Sequence, residues 1–279
     1  MNIQFLIEES INKLKRSDIA SYKIDSEILM SKAINKNRTY VILNPEEKID
    51  NKRKKIFEEL IKERCRGKPI AYLLGKKEFW KYEFYLSNNV LIPRPDTELI
   101  IEQVLKITNQ KSNLNILDIG TGSGCIILSI LKEKPCFYGT GVDISKDCIE
   151  ISKINALKMG LNNRVKFFKT DIDNFNHGKY DLIVSNPPYI KKSNLKCLEK
   201  DIGFEPKQAL DGGLDGLSEI RKVINKSSVL IKRSGHFIIE IGFDQKNKVK
   251  KILHDNGFYI KKTIKDLSNH DRCIVSIKT

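Results

Sequence analysis

Apolar residues recur at helical spacing through the first part of the chain. Between Ile3 and Cys65 they return every three or four positions, which places them on one face of successive helices. Asn44 precedes Pro45 and two glutamates, a composition typical of a helix start. We therefore predict a small helical bundle over residues 1–75.

The pattern then changes to short extended runs. Residues 78–87 alternate around a predicted turn at Lys81-Tyr82, which indicates a hairpin, and we assign residues 76–95 to a hairpin linker. From Asp96 onward, strand-like and helix-like segments alternate, as they do in a doubly wound parallel sheet. We therefore predict one α/β domain over residues 96–279.

The end of this domain departs from the alternation. The apolar runs at residues 257–262 and 272–278 follow each other with no helical segment between them. A parallel connection needs a crossover of a dozen residues or more, usually a helix. We therefore predict that the last strand lies antiparallel to its neighbours.

Composition sets limits on the function. The 279 residues are 40% hydrophobic, enough for one large core and a small second core. The chain has 50 Lys and Arg residues and 35 Asp and Glu residues, which gives a formal charge of +15. The positive residues are spread along the whole chain, which favours a solvated surface over a nucleic-acid site. The six cysteines and four histidines lack the spacing of a metal site or of a disulfide framework, and no apolar run spans a bilayer, so we expect a cytoplasmic protein without metal.

The segment Asn186-Pro187-Pro188-Tyr189 follows an apolar run that is typical of a buried strand. Proline has no N–H and a fixed φ, so the segment ends the strand and offers carbonyl acceptors without competing donors. A planar amide or amine carries two N–H donors, which the Asn186 side-chain oxygen and the Pro187 carbonyl can accept, while Tyr189 stacks on the planar group. We predict that these four residues bind the substrate and that Asn186, Pro187 and Tyr189 are catalytic. A proline-rich turn without function is the alternative.

A glycine-dense turn lies upstream, between an apolar run and an apolar helix. Glycine permits positive φ and close approach of a ligand, and the helix N-terminus offers unpaired N–H groups. Its spacing differs from that of dinucleotide-binding loops, and the acid before it would repel a pyrophosphate but attract a cationic sulfonium. We predict an S-adenosylmethionine site, completed by Asn186, that contains Asp118, Gly120, Thr121, Gly122, Ser123 and Gly124.

Two further acids end the next two strand-like runs. Asp143 stands at the position, about twenty residues beyond the glycine loop, where an acid accepts both ribose hydroxyls, and Ser145 is available to cap the following helix. Asp171 and the backbone of Ile172 follow the next run and are predicted to reach the adenine. Adenosine is therefore the expected part of the ligand.

These motifs together resemble the class I S-adenosylmethionine-dependent methyltransferases with the amino-methylating signature. Further stretches resemble the bacterial HemK/PrmC proteins, which methylate the glutamine of the Gly-Gly-Gln loop in peptide chain release factors. The stretches are residues 69–75, 78–80, 91–98 and 205–217, and the resemblance spans roughly residues 20–279. One departure is that Ile172 stands where many members carry an aromatic residue.

The resemblance implies a Rossmann-like sheet with an antiparallel last strand, preceded by a helical bundle that recognises the release factor. It implies methyl transfer from S-adenosylmethionine to the glutamine side-chain nitrogen, with no nucleic acid required. We further expect the Pro93-Arg94-Pro95 segment and Glu98 either to shape a lid over the cofactor or to hold a structural Arg94–Glu98 ion pair.

Three alternatives remain open from the sequence. An adenine-N6 methyltransferase of nucleic acid would bind a similar planar donor pair and would suit a basic chain, but the sequence shows no separate target-recognition domain. Glutamine methylation of a ribosomal protein uses the same chemistry. A non-catalytic module that binds an adenosine ligand is the third, although intact Asn186, Asp143 and loop glycines argue against it.

Overall fold

The computed structural model describes residues 1–197 and 200–279, and this part of the chain forms two compact units. The first unit comprises residues 1–76 with the short segment 200–204. The second comprises residues 77–197 and 205–279. No helix within the described ranges is long and apolar enough to cross a membrane.

The first unit is helical, as predicted. Its helices are α1 (Ile3–Arg16), α2 (Tyr22–Ile34), α3 (Arg38–Leu43), α4 (Asn51–Cys65) and α5 (Ile70–Leu74). The apolar faces of these helices meet in one core that includes Leu14, Leu29 and Phe57. The predicted helix start at Asn44 is wrong, because Asn44 ends α3 and its side chain donates to the Tyr40 carbonyl. The next helix, α4, begins only after Asp50, whose side chain accepts the Arg53 N–H.

A two-stranded hairpin follows, formed by β1 (Lys76–Phe79) and β2 (Tyr82–Tyr85). Its turn lies at Trp80-Lys81, one residue earlier than predicted, with Trp80 at a φ of 58°. The Trp80 N–H donates to the Glu98 carboxylate at 2.7 Å, which holds the turn in this position. Phe79 and Phe84 are buried in the core of the second unit, so the hairpin packs as part of that core.

The second unit contains a seven-stranded sheet with the order β5-β4-β3-β6-β7-β9-β8. The strands are β3 (Asn115–Ile119), β4 (Tyr138–Asp143), β5 (Val165–Lys169), β6 (Tyr180–Ser185), β7 (Ile231–Glu240), β8 (Phe258–Lys265) and β9 (Asp271–Lys278). The helices are α6 (Glu98–Ile107), α7 (Cys125–Glu133), α8 (Lys146–Lys158), α9 (Ser218–Leu230) and α10 (Lys246–Asp255).

The pairing directions confirm the predicted fold. Strands β3 to β7 are parallel, and β9 lies antiparallel between β7 and β8. Apolar side chains of the sheet belong to two separate cores, one on each face. A parallel sheet covered on both faces is the architecture of a doubly wound α/β protein, and its ligands bind at the carboxyl ends of the strands.

Candidate active site

A cavity of about 940 Å³ lies at the carboxyl ends of β3, β4 and β6. In the sheet, β4 lies on one side of β3 and β6 on the other, so the strand order changes direction here, as it does at ligand sites of open α/β sheets. The cavity brings together the glycine loop, the acid that ends β4, the acid that follows β5, and the Asn-Pro-Pro segment. The predicted site residues that line it are Gly120, Thr121, Gly122, Ser123, Asp143, Asp171, Ile172, Asn186, Pro187 and Pro188.

The three loop glycines all have positive φ, of 73° at Gly120, 56° at Gly122 and 80° at Gly124. At Gly120 and Gly122 no atom lies within 4 Å of where a Cβ would stand, so the backbone there is bare toward the cavity. A Cβ at Gly124 would lie 2.9 Å from Leu128 Cδ1, and Gly124 does not line the cavity. The first two glycines therefore open the loop to a ligand, and the third permits packing against α7.

Asp118 anchors the glycine loop through a hydrogen bond to Thr121. Its side chain is fully buried, and Oδ2 accepts the Thr121 hydroxyl at 2.8 Å. Burial raises the pKa of Asp118 to about 7, against the opposing effect of the Thr121 hydrogen bond. Asp118 is not among the residues that line the cavity, so its direct contact with a bound cation stays a prediction.

Asp143 connects the end of β4 to the glycine loop. Its Oδ2 accepts the Gly122 N–H at 2.9 Å, and its Oδ1 accepts the Ser145 N–H at 2.9 Å. Burial raises the pKa of Asp143, while these backbone hydrogen bonds lower it. Ser145 caps α8 by accepting the Cys148 N–H, as the sequence predicted. Each carboxylate oxygen of Asp143 has a further lone pair, so ribose hydroxyls can still bind there.

Asn186 belongs to a chain of hydrogen bonds that includes the buried residues Thr97 and Glu240. Its Nδ2 donates to Thr97 Oγ1 at 3.0 Å, and the Thr97 hydroxyl donates to Glu240 Oε2 at 2.7 Å. Because Nδ2 is turned toward Thr97, the side-chain oxygen Oδ1 is the group that Asn186 offers to a ligand in the cavity. The acceptor role of Asn186 toward a substrate stays a prediction.

Tyr189 lies at the other end of the same chain. Its hydroxyl donates to Glu240 Oε1 at 3.1 Å, and its ring packs against the core on one face of the sheet. Burial and the neighbouring Glu240 carboxylate raise the pKa of Tyr189. Tyr189 is not among the residues that line the cavity, so stacking on a substrate amide stays a prediction.

The expected Arg94–Glu98 ion pair is wrong. The Arg94 guanidinium instead pairs with Glu205, whose buried carboxylate also accepts the Ile92 N–H at 3.2 Å. The Glu98 carboxylate instead accepts the Trp80 N–H in the hairpin turn. Arg94 lines the cavity, so the ion pair ties the segment beside the cavity to the loop that precedes α9.

The sequence interpretation missed Thr97, Glu205 and Glu240 as parts of the site. Glu240 carries a recognisable signal, because it ends the apolar run of β7 and a carboxylate there is 2% exposed and needs partners. Thr97 is equally buried, but a threonine beside a helix start is ordinary and gives no comparable signal.

Comparison with protein families gives two matches. Residues 6–75 match the PrmC N-terminal domain, and residues 95–211 match the methyltransferase small domain. Curated relatives match over nearly the whole chain. A release factor glutamine methyltransferase from Caulobacter vibrioides is 34% identical over 96% of this chain and 93% of its own. One from Clostridium acetobutylicum is 36% identical over 100% of this chain and 99% of its own. One from Buchnera aphidicola subsp. Schizaphis graminum is 38% identical over 98% of each chain.

Solved structures support the fold. A ribosomal protein L11 methylase from Lactobacillus delbrueckii subsp. bulgaricus superposes with a TM-score of 0.52 at 19% identity, covering 68% of this chain and 82% of that one. A methyltransferase from Pyrococcus furiosus gives a TM-score of 0.50 at 19% identity, over 68% of this chain and 85% of that one. At these identities the likeness concerns the fold alone.

Proposed function

We propose that this chain, which belongs to the release factor glutamine methyltransferase family, methylates the side-chain amide nitrogen of the glutamine in the Gly-Gly-Gln motif of peptide chain release factors. S-adenosylmethionine is the methyl donor. The observation that carries the proposal is the meeting of Asn186, the bare glycine loop and Asp143 around one cavity.

The residues around the cavity fit this cofactor. Gly120 and Gly122 give a bare backbone against which the ligand can lie, and Asp143 supplies a carboxylate for the ribose hydroxyls. Asp171 and Ile172 line the cavity near the end of β5 and would contact the adenine. When bound, the cofactor supplies an electrophilic methyl group on a positively charged sulfur.

Asn186 and Pro187 orient the glutamine amide, which receives the methyl group. An amide nitrogen is a poor nucleophile, because its lone pair is delocalised into the carbonyl. The Asn186 Oδ1 and the Pro187 carbonyl accept the two N–H donors of the glutamine and point its nitrogen at the methyl group. As the nitrogen gains positive character, these N–H groups become better donors, so both acceptors bind more strongly in the transition state than in the ground state. Pro188 completes the substrate site, and Tyr189, whose hydroxyl donates to Glu240, would stack on the glutamine amide.

The helical first unit is the candidate for release factor recognition, because the residues that line the cavity all belong to the second unit. Its match to the PrmC N-terminal domain supports this assignment. The reaction needs no nucleic acid, since a diffuse positive charge is accounted for by a solvated surface.

A labelled methyl transfer assay tests the function. Full-length release factor, the same factor with its motif glutamine replaced by alanine, a ribosomal protein fraction, DNA and ribosomal RNA are offered in parallel. We expect transfer to the intact release factor and none to the glutamine variant. Transfer to DNA, RNA or ribosomal protein in preference, or cofactor binding without transfer to any of these, would overturn the proposal.

A further inference from the structure

We infer that Glu240 is a positioning residue, which acts through the Thr97 hydroxyl to fix which end of the Asn186 side-chain amide faces the cavity. The inference rests on the proposed function, because it concerns how the acceptor for the glutamine N–H is set in place. It gives a role in the reaction to Glu240, which is not among the residues that line the cavity, and to Thr97, which is.

The polarity of the hydrogen-bond chain follows from the chemistry of its members. An ionised carboxylate only accepts, so the single hydrogen of the Thr97 hydroxyl points at Glu240 across 2.7 Å. Thr97 can then only accept on its other side, at 3.0 Å from Asn186 Nδ2. The amide is therefore held with its nitrogen toward Thr97 and its oxygen toward the cavity.

This orientation decides whether the site can work. A side-chain amide turned by 180° has almost the same shape, but it would present its own NH₂ group to the NH₂ group of the substrate glutamine. Two donors facing each other cannot form a hydrogen bond, and the nitrogen would lose one of its two anchors. Without an acceptor-only group behind Thr97, nothing in this chain of hydrogen bonds selects the productive orientation.

Side chains from several elements surround the Glu240 carboxylate. Tyr189, after β6, donates to Glu240 Oε1 at 3.1 Å. Arg272 on β9 lowers the pKa of Glu240, and Asp96, in the turn before α6, raises it. Arg272 also pairs with Asp266 at 2.9 Å and lies 3.6 Å from Asp96. Burying a carboxylate is costly, and in this position its acceptor-only character serves the site.

Titration of Glu240 offers an independent readout. Burial raises the pKa of Glu240 to about 7. When protonated, Glu240 can donate to the Thr97 hydroxyl, which can then donate to Asn186 and favour the reversed amide. Turnover should therefore fall as the pH drops through about 7, and this fall should be smaller in Glu240→Gln, in which Asp118, whose pKa burial also raises to about 7, can still titrate.

The test compares Thr97→Val with Thr97→Ser and Glu240→Gln in full-length protein. Valine keeps the shape of threonine without the hydroxyl, and serine keeps the hydroxyl. Turnover at saturating release factor is measured per cofactor site, counted by calorimetric titration with S-adenosylhomocysteine, so loss of folded protein does not enter. We expect Thr97→Val to lower kcat by about tenfold to a hundredfold with cofactor affinity unchanged within about threefold. The kcat of Thr97→Ser should be at least about tenfold higher than that of Thr97→Val.

The outcomes separate the two proposals. No transfer by the unaltered protein would overturn the proposed function and this inference with it. Normal transfer by the unaltered protein, with kcat per site undiminished in Thr97→Val, would overturn the inference alone. So would an equal loss in Thr97→Ser and Thr97→Val. If Thr97→Val does not fold, the Glu240→Gln pH profile decides, and a fall below about pH 7 as large as that of the unaltered protein contradicts the inference.

Discussion

The carboxylate of Asp143 accepts the backbone N–H of Gly122 at 2.9 Å. The end of β4 is thereby tied to the loop after β3, and the two segments line the same cavity. Asp143 thus has a structural partner in addition to the ribose contact proposed for it. Losing this side chain should affect both the ligand contact and the shape of the loop.

Asp143→Ala is expected to weaken S-adenosylmethionine binding by at least about tenfold, or about 1.4 kcal/mol, because a ribose acceptor and the Gly122 partner are lost together. Isothermal titration measures the change. Asp255→Ala, which removes an exposed carboxylate from α10, is the control and should bind normally. Unchanged cofactor affinity in Asp143→Ala would show that the ribose assignment is wrong.

Asn186→Ala is expected to lower kcat at least several hundredfold, which corresponds to about 3–4 kcal/mol in the activation barrier, because the acceptor for one substrate N–H is removed. Cofactor affinity should change little, since the glycine loop and Asp143 are untouched. The methyl transfer assay and calorimetry measure the two quantities. Asn162→Ala, at an exposed position after α8, is the control. Near-normal turnover in Asn186→Ala would contradict the role assigned to Asn186.

Asn155→Ala should destabilise the second unit by about 1–3 kcal/mol. The Asn155 side chain accepts the Tyr85 N–H at 2.8 Å and donates to the carbonyls of Tyr85 at 3.1 Å and Ser123 at 2.9 Å, so its loss leaves buried groups unpaired. It connects the hairpin to the glycine loop, so cofactor affinity should fall as well. Urea denaturation measures stability, with the exposed helical Asn247→Ala as the control. Equal midpoints for the two variants would contradict this role.

Replacing Glu240 should change how stability depends on pH. Burial raises the pKa of Glu240 to about 7 in the folded protein, whereas the pKa of an unfolded glutamate is about 4.3. Between these values the folded state holds the extra proton, so this group lowers the unfolding free energy as the pH rises through that window. We expect the difference in unfolding free energy, wild type minus Glu240→Gln, to decrease from low to neutral pH. Denaturation across a pH series measures it, and a constant or rising difference would contradict the assignment.

The parts of the fold that the sequence predicted correctly are those with local signals. The strands β3, β4 and β6 are apolar runs that end at a glycine loop, an acid and a proline pair, so their carboxyl ends could be placed at one edge of a sheet. The antiparallel β9 was predictable because no helix separates it from β8. These features depend on neighbours within a few residues.

The missed features depend on partners distant in the sequence. Arg94 pairs with Glu205, 111 residues away, although Glu98 lies one helical turn along the chain. Thr97 and Glu240 are 143 residues apart, and only the fold brings them together behind Asn186. Asn44 failed as a helix start because the carbonyl of the following Pro45 accepts the N–H of Gln4, a tertiary contact that no local pattern encodes.

The position of β9 inside the sheet affects how the second unit is assembled during translation. Strand β8 pairs with β9 and not with β7, so it has no place in the sheet until β9 has been synthesised. A nascent chain that has emerged only through β8 therefore exposes one edge of β7 and the apolar side chains that β8 and β9 later cover. The sheet is therefore complete only once residues 271–278 have left the ribosome, and until then the nascent chain keeps an open sheet edge that can pair with other chains.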